Sequence, residues 1–290
     1  MTCTLCPRDC GGSRGPGRSG GVCAMPSGPV VARAMLHQWE EPCLVGEHGA
    51  GAVFFSGCNL RCVYCQNKSI SQGGVGRAVS VSRLREIFGE LIAQGAACLD
   101  LVTPTHFTRA ILEALGEGPW PVPVVWNCGG YEKPETLRLL EGKVQVYLPD
   151  LKYALPGPAQ AYSGAADYFD WAAPAILEMF RQTGPFRMED GLLKSGVLIR
   201  HLLLPGELEN TRRCIDWVAE TFRPGDVLFS LMSQYTPQPG AEGKLRRRVT
   251  KAEYRAAMEY MENCGVTGGY IQERTSAREA YTPDFDLSGL

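Results

Sequence analysis

Beyond residue 50 the chain alternates between two hydrophobic rhythms. Short runs at 51–56, 98–102, 122–126, 144–148, 196–204 and 227–232 are apolar almost throughout and read as six buried strands. Each is followed by a longer segment with apolar residues at helical spacing. The first such set is Leu84, Ile87, Phe88, Leu91 and Ile92. Later sets are 107–115, 134–140, Ala172 with Ala175, Ile176, Met179 and Phe180, Ile215 with Val218, Ala219 and Phe222, and Tyr254 with Ala257, Met258 and Met261. Ser80 or Ser82 caps the first helix, Thr250 and Glu253 form a capping box, and "GGYIQ" at 268–272 adds a short final strand.

Six strand-then-helix units with short apolar strands predict parallel strands covered by helices. An open doubly wound sheet and a partial barrel both satisfy that pattern. Because no glycine-rich dinucleotide fingerprint follows the first strand, the barrel is favoured, an α/β fold of partial (βα)6, TIM-like form. In either architecture function belongs at the C-terminal ends of the strands, and the polar residues there are informative. They are the cysteines after strand one, Thr103 to His106 after strand two, Asn127 and Cys128 after strand three, Asp150 and Lys152 after strand four, Arg200 and His201 on strand five, and Ser233 to Tyr235 after strand six.

Composition narrows the function classes. With 44% hydrophobic and 21% charged residues the 290-residue chain is an ordinary globular protein, and no run reaches the roughly 18 apolar residues of a membrane span. A net charge of −2 gives no reason to expect nucleic acid or an anionic membrane as partner, and the basic run 244–248 reads as a solvated loop. The opening "MTCTLCPRDC" lacks the basic start and apolar stretch of a secretory signal, so a cytoplasmic location is expected.

Twelve cysteines are many for a reducing compartment, where disulfides are rare. Seven fall into two groups, which points to metal or cluster ligation. Cys3, Cys6, Cys10 and Cys23 lie in a Gly-, Pro- and Arg-rich stretch of about 30 residues with almost no apolar periodicity, so metal would have to hold it together. Four thiolates satisfy zinc or a [4Fe-4S] cluster equally. The division expected is therefore a cysteine-rich extension at 1–50, a barrel at 51–275 and a tail at 276–290.

Cys58, Cys62 and Cys65 occupy the loop after the first strand in the spacing C-x3-C-x2-C. Structural zinc takes four ligands, so this set is one short unless His37 or His48 completes it. A [4Fe-4S] cluster takes one thiolate per iron, and three leave one iron open to an exogenous ligand.

The motif, with Tyr64 before its last cysteine, resembles the signature of the radical S-adenosylmethionine (SAM) superfamily. Together with "LVTPTH", "NCGGYE", "YLPDLKY" and "IRHLLLPG" it is similar to a branch of uncharacterised proteins related to the pyruvate formate-lyase activating enzyme, over residues 3 to about 265. The resemblance implies that Cys58, Cys62 and Cys65 hold a [4Fe-4S] cluster whose fourth iron is chelated by SAM. It also implies reductive cleavage of SAM to a 5'-deoxyadenosyl radical that abstracts hydrogen from a protein, peptide or small-molecule substrate, as in glycyl radical enzyme activation. A reductant such as flavodoxin or ferredoxin is the implied electron partner.

Carried over residue by residue, the resemblance puts Tyr64 by the adenine and Asp150 and Lys152 at the Asp-x-Lys after strand four. It places Arg200 and His201 at the SAM carboxylate or ribose. Where the superfamily often has Gly-Gly-Glu for the SAM amine, this chain has Thr103, Pro104 and Thr105, so hydroxyls and carbonyls would serve, with Asn127 beside them. The N-terminal group implies a second [4Fe-4S] cluster or zinc. Two other readings remain open on the residues alone: Asp150 with Lys152 as an ordinary strand-end ion pair, and the whole chain as a non-catalytic electron carrier or metal-binding module.

Overall fold

The computed structural model describes residues 3–15, 21–271 and 283–290. Among the described residues ten strands form one mixed, mostly parallel sheet. They are β1 (Val30–His37), β2 (Ala50–Phe55), β3 (Arg77–Ala78), β4 (Leu99–Val102), β5 (Val124–Cys128), β6 (Val146–Pro149), β7 (Arg187–Glu189), β8 (Leu192–Leu202), β9 (Leu228–Met232) and β10 (Gly269–Ile271). The six strands expected from the apolar runs are β2, β4, β5, β6, β8 and β9, joined in parallel in that order, with β10 parallel beside β9. The order never reverses along this parallel run, so it contains no switch point of the doubly wound kind. Gln272, the last residue of the expected final strand, lies outside the described residues.

Strand alternation sorts the side chains onto two faces. Val53, Phe55, Leu101, Trp126, Tyr147, Ile199 and Phe229 share a single large core with helix residues such as Phe88, Ile111, Ile176, Ile215 and Ala257. Full burial of each large apolar side chain there stabilises the fold by roughly 1.5–3 kcal/mol. The helices are those the periodicity predicts. Val81–Ala93 starts at Ser80, whose hydroxyl accepts from Arg83 N at 3.0 Å, and Lys251–Asn263 has the complete Thr250/Glu253 capping box.

The opposite face carries two smaller apolar clusters. At one end, the short helix Pro42–Val45 packs Cys43 and Leu44 against Val125, Val146, Leu198 and Leu228. Beyond these, toward the C-terminal ends of the strands, the same parity brings in Asp100, Asn127, Asp150, Arg200 and Ser230.

The boundary expected at residue 51 falls inside the sheet. β1 pairs antiparallel with β2 from Val31 against Phe55 to His37 against Ala50, so the sheet begins at Val30 and only residues before it are an extension. Of the expected tail, 283–290 runs along β1, with Leu287 N donating to Ala32 O and Ala34 N to Ser288 O. Residues 276–282 lie outside the described part.

Candidate functional site at the C-terminal ends of the strands

β2 ends in Ser56 and Gly57, and the cysteine loop begins there. Gly57 has φ +81, and a Cβ on it would stand 2.3 Å from Met25 Cγ and 2.8 Å from Cys23 O, so the turn needs glycine because the N-terminal extension crosses it closely. The loop is fixed by bonds to neighbours on several elements. Asn59 Nδ2 donates to Tyr131 O at 2.8 Å, Val63 N to Tyr162 O at 2.9 Å, and Gln72 Nε2 to Cys62 O at 2.9 Å.

Each of the three sulfurs accepts a hydrogen bond. Ser163 Oγ donates to Cys62 Sγ at 3.0 Å, Ser71 Oγ to Cys65 Sγ at 3.3 Å, and Leu60 N to Cys58 Sγ at 3.4 Å. Burial, reinforced by Cys62, pushes the Cys58 thiol up to about 12, and burial raises Cys65 as well. Burial thus favours the protonated form of Cys58 and Cys65 in the absence of a metal. As placed, no three His, Cys, Asp or Glu side chains among the described residues stand close enough to hold a metal ion.

The donor chemistry nevertheless fits an iron-sulfur group: three soft ligands on one loop, each sulfur already met by a hydrogen-bond donor. Cys58, Cys62 and Cys65 line one cleft of about 250 Å³ together with Tyr64, Thr103, Asn127, Asp150, Lys152 and Arg200. Nine of the eleven expected site residues from outside the N-terminal group thus converge, and each lies at a strand end or just after it. The Tyr64 hydroxyl stands 2.9 Å from that of Tyr153, which is 2.7 Å from Ser163 Oγ. The tyrosine pair is thereby linked to the Cys62 sulfur.

Arg200 organises the floor of the cleft. Its Nε donates to Asp150 Oδ1 at 3.0 Å, Nη1 to Glu40 Oε1 at 3.0 Å, and Nη2 to Asn127 Oδ1 at 2.6 Å. All three nitrogens of the guanidinium are engaged within the protein. Lys152 Nζ donates to the other Asp150 oxygen at 2.5 Å. Burial opposes the Lys152 charge, but Asp150 outweighs it and holds the amine above its ordinary value. Asp150 is likewise opposed by burial, and Lys152 and Arg200 prevail to keep its carboxyl below the usual range.

Two expected residues lie elsewhere. His201 follows Arg200 directly, and successive strand residues face opposite sides of a sheet. It is fully buried on the helix-covered face, with Nδ1 2.6 Å from Leu151 O and Nε2 2.9 Å from Thr211 Oγ1. Thr105 also turns away. Its hydroxyl donates to Glu132 Oε1 at 2.5 Å, and Glu132 is fully buried with its carboxyl pushed up to about 8 by desolvation. Thr103, by contrast, lines the cleft in a left-handed conformation, φ 59.

The N-terminal cysteines lie over the same rim. Cys6 feels the charge of Cys3 and Cys23, and Cys23 that of Cys3 and Cys10, so the four form one neighbourhood; burial pushes Cys6 up to about 12. Arg8 ties this extension to the loop: Nε donates to Asn59 O at 2.7 Å, Nη2 to Ser163 O at 2.6 Å, and Nη1 to Gly164 O at 2.5 Å. Arg61 of the loop donates back to Val22 O at 3.0 Å.

Sequence reasoning passed over Glu40, Glu41 and Asp100. Asp100 carried a signal, a charged residue within the apolar run "CLDLV", whereas Glu40 and Glu41 precede the region read as the barrel. A separate cleft of about 490 Å³ lies among the 115–123 segment, Lys143, Gln145, Glu189 and Lys194, and its lining has no cysteine or histidine.

No family model matches the chain. Uncharacterized protein MJ0674 of Methanocaldococcus jannaschii is 30% identical to it over 239 residues, which is 78% of this chain and 65% of that protein. The chain thus spans less than two thirds of the length of this curated relative. Among the described residues no helix is long and apolar enough to cross a membrane.

Proposed function

We propose that the chain is a radical SAM enzyme built on a partial (βα)6, TIM-like barrel. The observation that carries this reading is the convergence of Cys58, Cys62, Cys65 and Tyr64 with Asp150, Lys152 and Arg200 on one cleft at the strand ends. Parallel strands that follow one another without reversal support the barrel, since that order curls a sheet around its uncovered face.

Cys58, Cys62 and Cys65 would hold a [4Fe-4S] cluster with one iron left open. When bound, the cluster supplies the electron that cleaves SAM to methionine and a 5'-deoxyadenosyl radical, which takes hydrogen from a protein, peptide or small-molecule substrate; activation of a glycyl radical enzyme is one reaction of this kind. A flavodoxin- or ferredoxin-like reductant completes the system. Cys3, Cys6, Cys10 and Cys23 would hold a second cluster or zinc, which would fasten residues 3–15 and 21–29 over the rim.

The chain's own groups divide the remaining work. Lys152 uses one of its three donors on Asp150, and the others can meet a ligand carboxylate. Arg200 spends three of its five donors on Asp150, Glu40 and Asn127, so it acts chiefly as a positioning residue that fixes them. Thr103 lines the cleft, and the buried Tyr64 ring bounds it on the loop side. Ser71 and Ser163 steady the sulfurs.

The test is the electron paramagnetic resonance spectrum of the anaerobically reconstituted, reduced protein. SAM alters the spectrum if one iron is open to it. An unchanged spectrum at saturating SAM contradicts the reading.

A further inference from the structure

Three buried hydroxyls stand in line behind the Cys62 sulfur. Tyr64 Oη is 2.9 Å from Tyr153 Oη, Tyr153 Oη is 2.7 Å from Ser163 Oγ, and Ser163 Oγ is 3.0 Å from Cys62 Sγ. Tyr153 is fully buried, and Tyr64, Ser163 and Cys62 are nearly so. Tyr64 belongs to the cysteine loop, Tyr153 follows Lys152 after β6, and Ser163 is the last residue of the helix Pro156–Ser163, so the line bridges the loop and the connection that leaves β6. Arg8 Nη2, donating to Ser163 O at 2.6 Å, pins that helix end.

Counting protons fixes the direction of the line. A hydroxyl has one proton to donate and lone pairs that accept, whereas a ligating thiolate only accepts. Ser163 therefore spends its proton on Cys62 and accepts from Tyr153. Tyr153 then has none left for Tyr64, so although either tyrosine oxygen can be the donor on distance alone, Tyr64 donates to Tyr153. All three O–H dipoles point at the sulfur, and in a buried site each polarises the next, strengthening it by roughly 10–30%. Tyr153 also keeps Ser163 aimed, because a serine in a helix can otherwise turn its proton back to the carbonyl one turn earlier.

We propose that Tyr153 is a positioning residue for the loop cluster: acting through Ser163, it directs a hydrogen bond onto the Cys62 sulfur and raises the potential at which the cluster accepts an electron. The proposal rests on the loop being the cluster site of the function proposed above. Tyr64 supplies the outer link, so the ring that bounds the cleft and the ligand sulfur belong to one hydrogen-bonded unit.

The experiment is a potentiometric titration of the anaerobically reconstituted full chain without SAM, reading the paramagnetic signal that Cys58→Ala lacks. Tyr153→Phe, which removes one oxygen, is expected to shift the potential to a more negative value, by less than Ser163→Ala does; Tyr64→Phe shifts it in the same direction by less again. In the Ser163→Ala background Tyr153→Phe adds no shift, because its effect has lost its route. Tyr147→Phe is the control: Tyr147 is an equally buried tyrosine on β6 whose hydroxyl donates to Gln182 Oε1 at 2.6 Å, and its loss leaves the potential unchanged. A wild-type potential in Tyr153→Phe, an added shift in the double variant, or an equal shift in Tyr147→Phe overturns the proposal. A Cys58-dependent signal that SAM leaves unaltered defeats the radical SAM reading alone, whereas absence of that signal defeats both.

Discussion

Arg200 Nε and Asp150 Oδ1 stand 3.0 Å apart between neighbouring strand ends, and the backbone repeats the contact, with Leu151 N donating to Arg200 O at 2.8 Å. The pair is mostly buried, and of its three remaining side-chain partners Glu40 and Lys152 are charged and Asn127 is neutral. A network of this kind specifies geometry more than it adds stability, because desolvation offsets much of the attraction.

Removing only the cation leaves the carboxylates uncompensated. Arg200→Met is expected to lower stability by about 3 kcal/mol, and adding Asp150→Asn and Glu40→Gln recovers most of that loss. Chemical denaturation of the variants measures it. A triple variant no more stable than the single one contradicts the account of the network.

His201 gives the fold an acid limb. Leu151 O can only accept, so Nδ1 donates to it and Nε2 accepts from Thr211; burial holds the ring neutral, down to about 4 from an ordinary 6.5. A base depressed in the folded state contributes stability that is present above pH 6.5 and lost as pH falls toward 4. His106, buried and also lowered to about 4, acts in the same direction. Unfolding midpoints of His201→Gln should therefore fall less steeply than wild type between pH 6.5 and 4, with a difference of as much as roughly 3 kcal/mol at the acid end. Parallel curves contradict it.

The six parallel strands and their helices were legible because buried strands and amphipathic helices leave distinct periodicities. β1 was not: it follows a Gly- and Pro-rich segment, it lies outside the repeating units, and Arg33 interrupts its apolar run. The cysteine loop and its rim partners could be read from strand-end positions, since a parallel sheet gathers those ends. His201 shows the limit of that reasoning. Adjacent strand residues point to opposite faces of the sheet, and alternation puts His201 on the face away from Arg200. Thr105 was lost to a buried partner, Glu132, that sequence distance conceals. Glu40 enters the floor from beyond β1 by tertiary folding, and no local pattern marks it.

Arg8 is expected to hold the cysteine loop in place from a distance of about 50 residues along the chain. In Arg8→Ala the amides of residues 58–65 should exchange with solvent at least tenfold faster, while those of β5 stay unchanged. Hydrogen exchange read by mass spectrometry decides it, and unaltered protection of the loop contradicts the tether.

Ser163 bears on redox tuning. Hydrogen bonds to ligand sulfur raise a cluster's reduction potential, so Ser163→Ala should shift the potential of the reconstituted protein to a more negative value. A potentiometric titration followed by paramagnetic resonance measures the shift. An unchanged or more positive potential removes Cys62 from the ligand set or Ser163 from its neighbourhood.

The central claim is that the three-cysteine loop supports reductive cleavage of SAM. Protein reconstituted anaerobically with iron and sulfide, reduced, and incubated with SAM should form 5'-deoxyadenosine and methionine, and Cys58→Ala should form neither. Cluster-loaded protein that yields no 5'-deoxyadenosine, or the same yield from the Cys58→Ala variant, would contradict the claim.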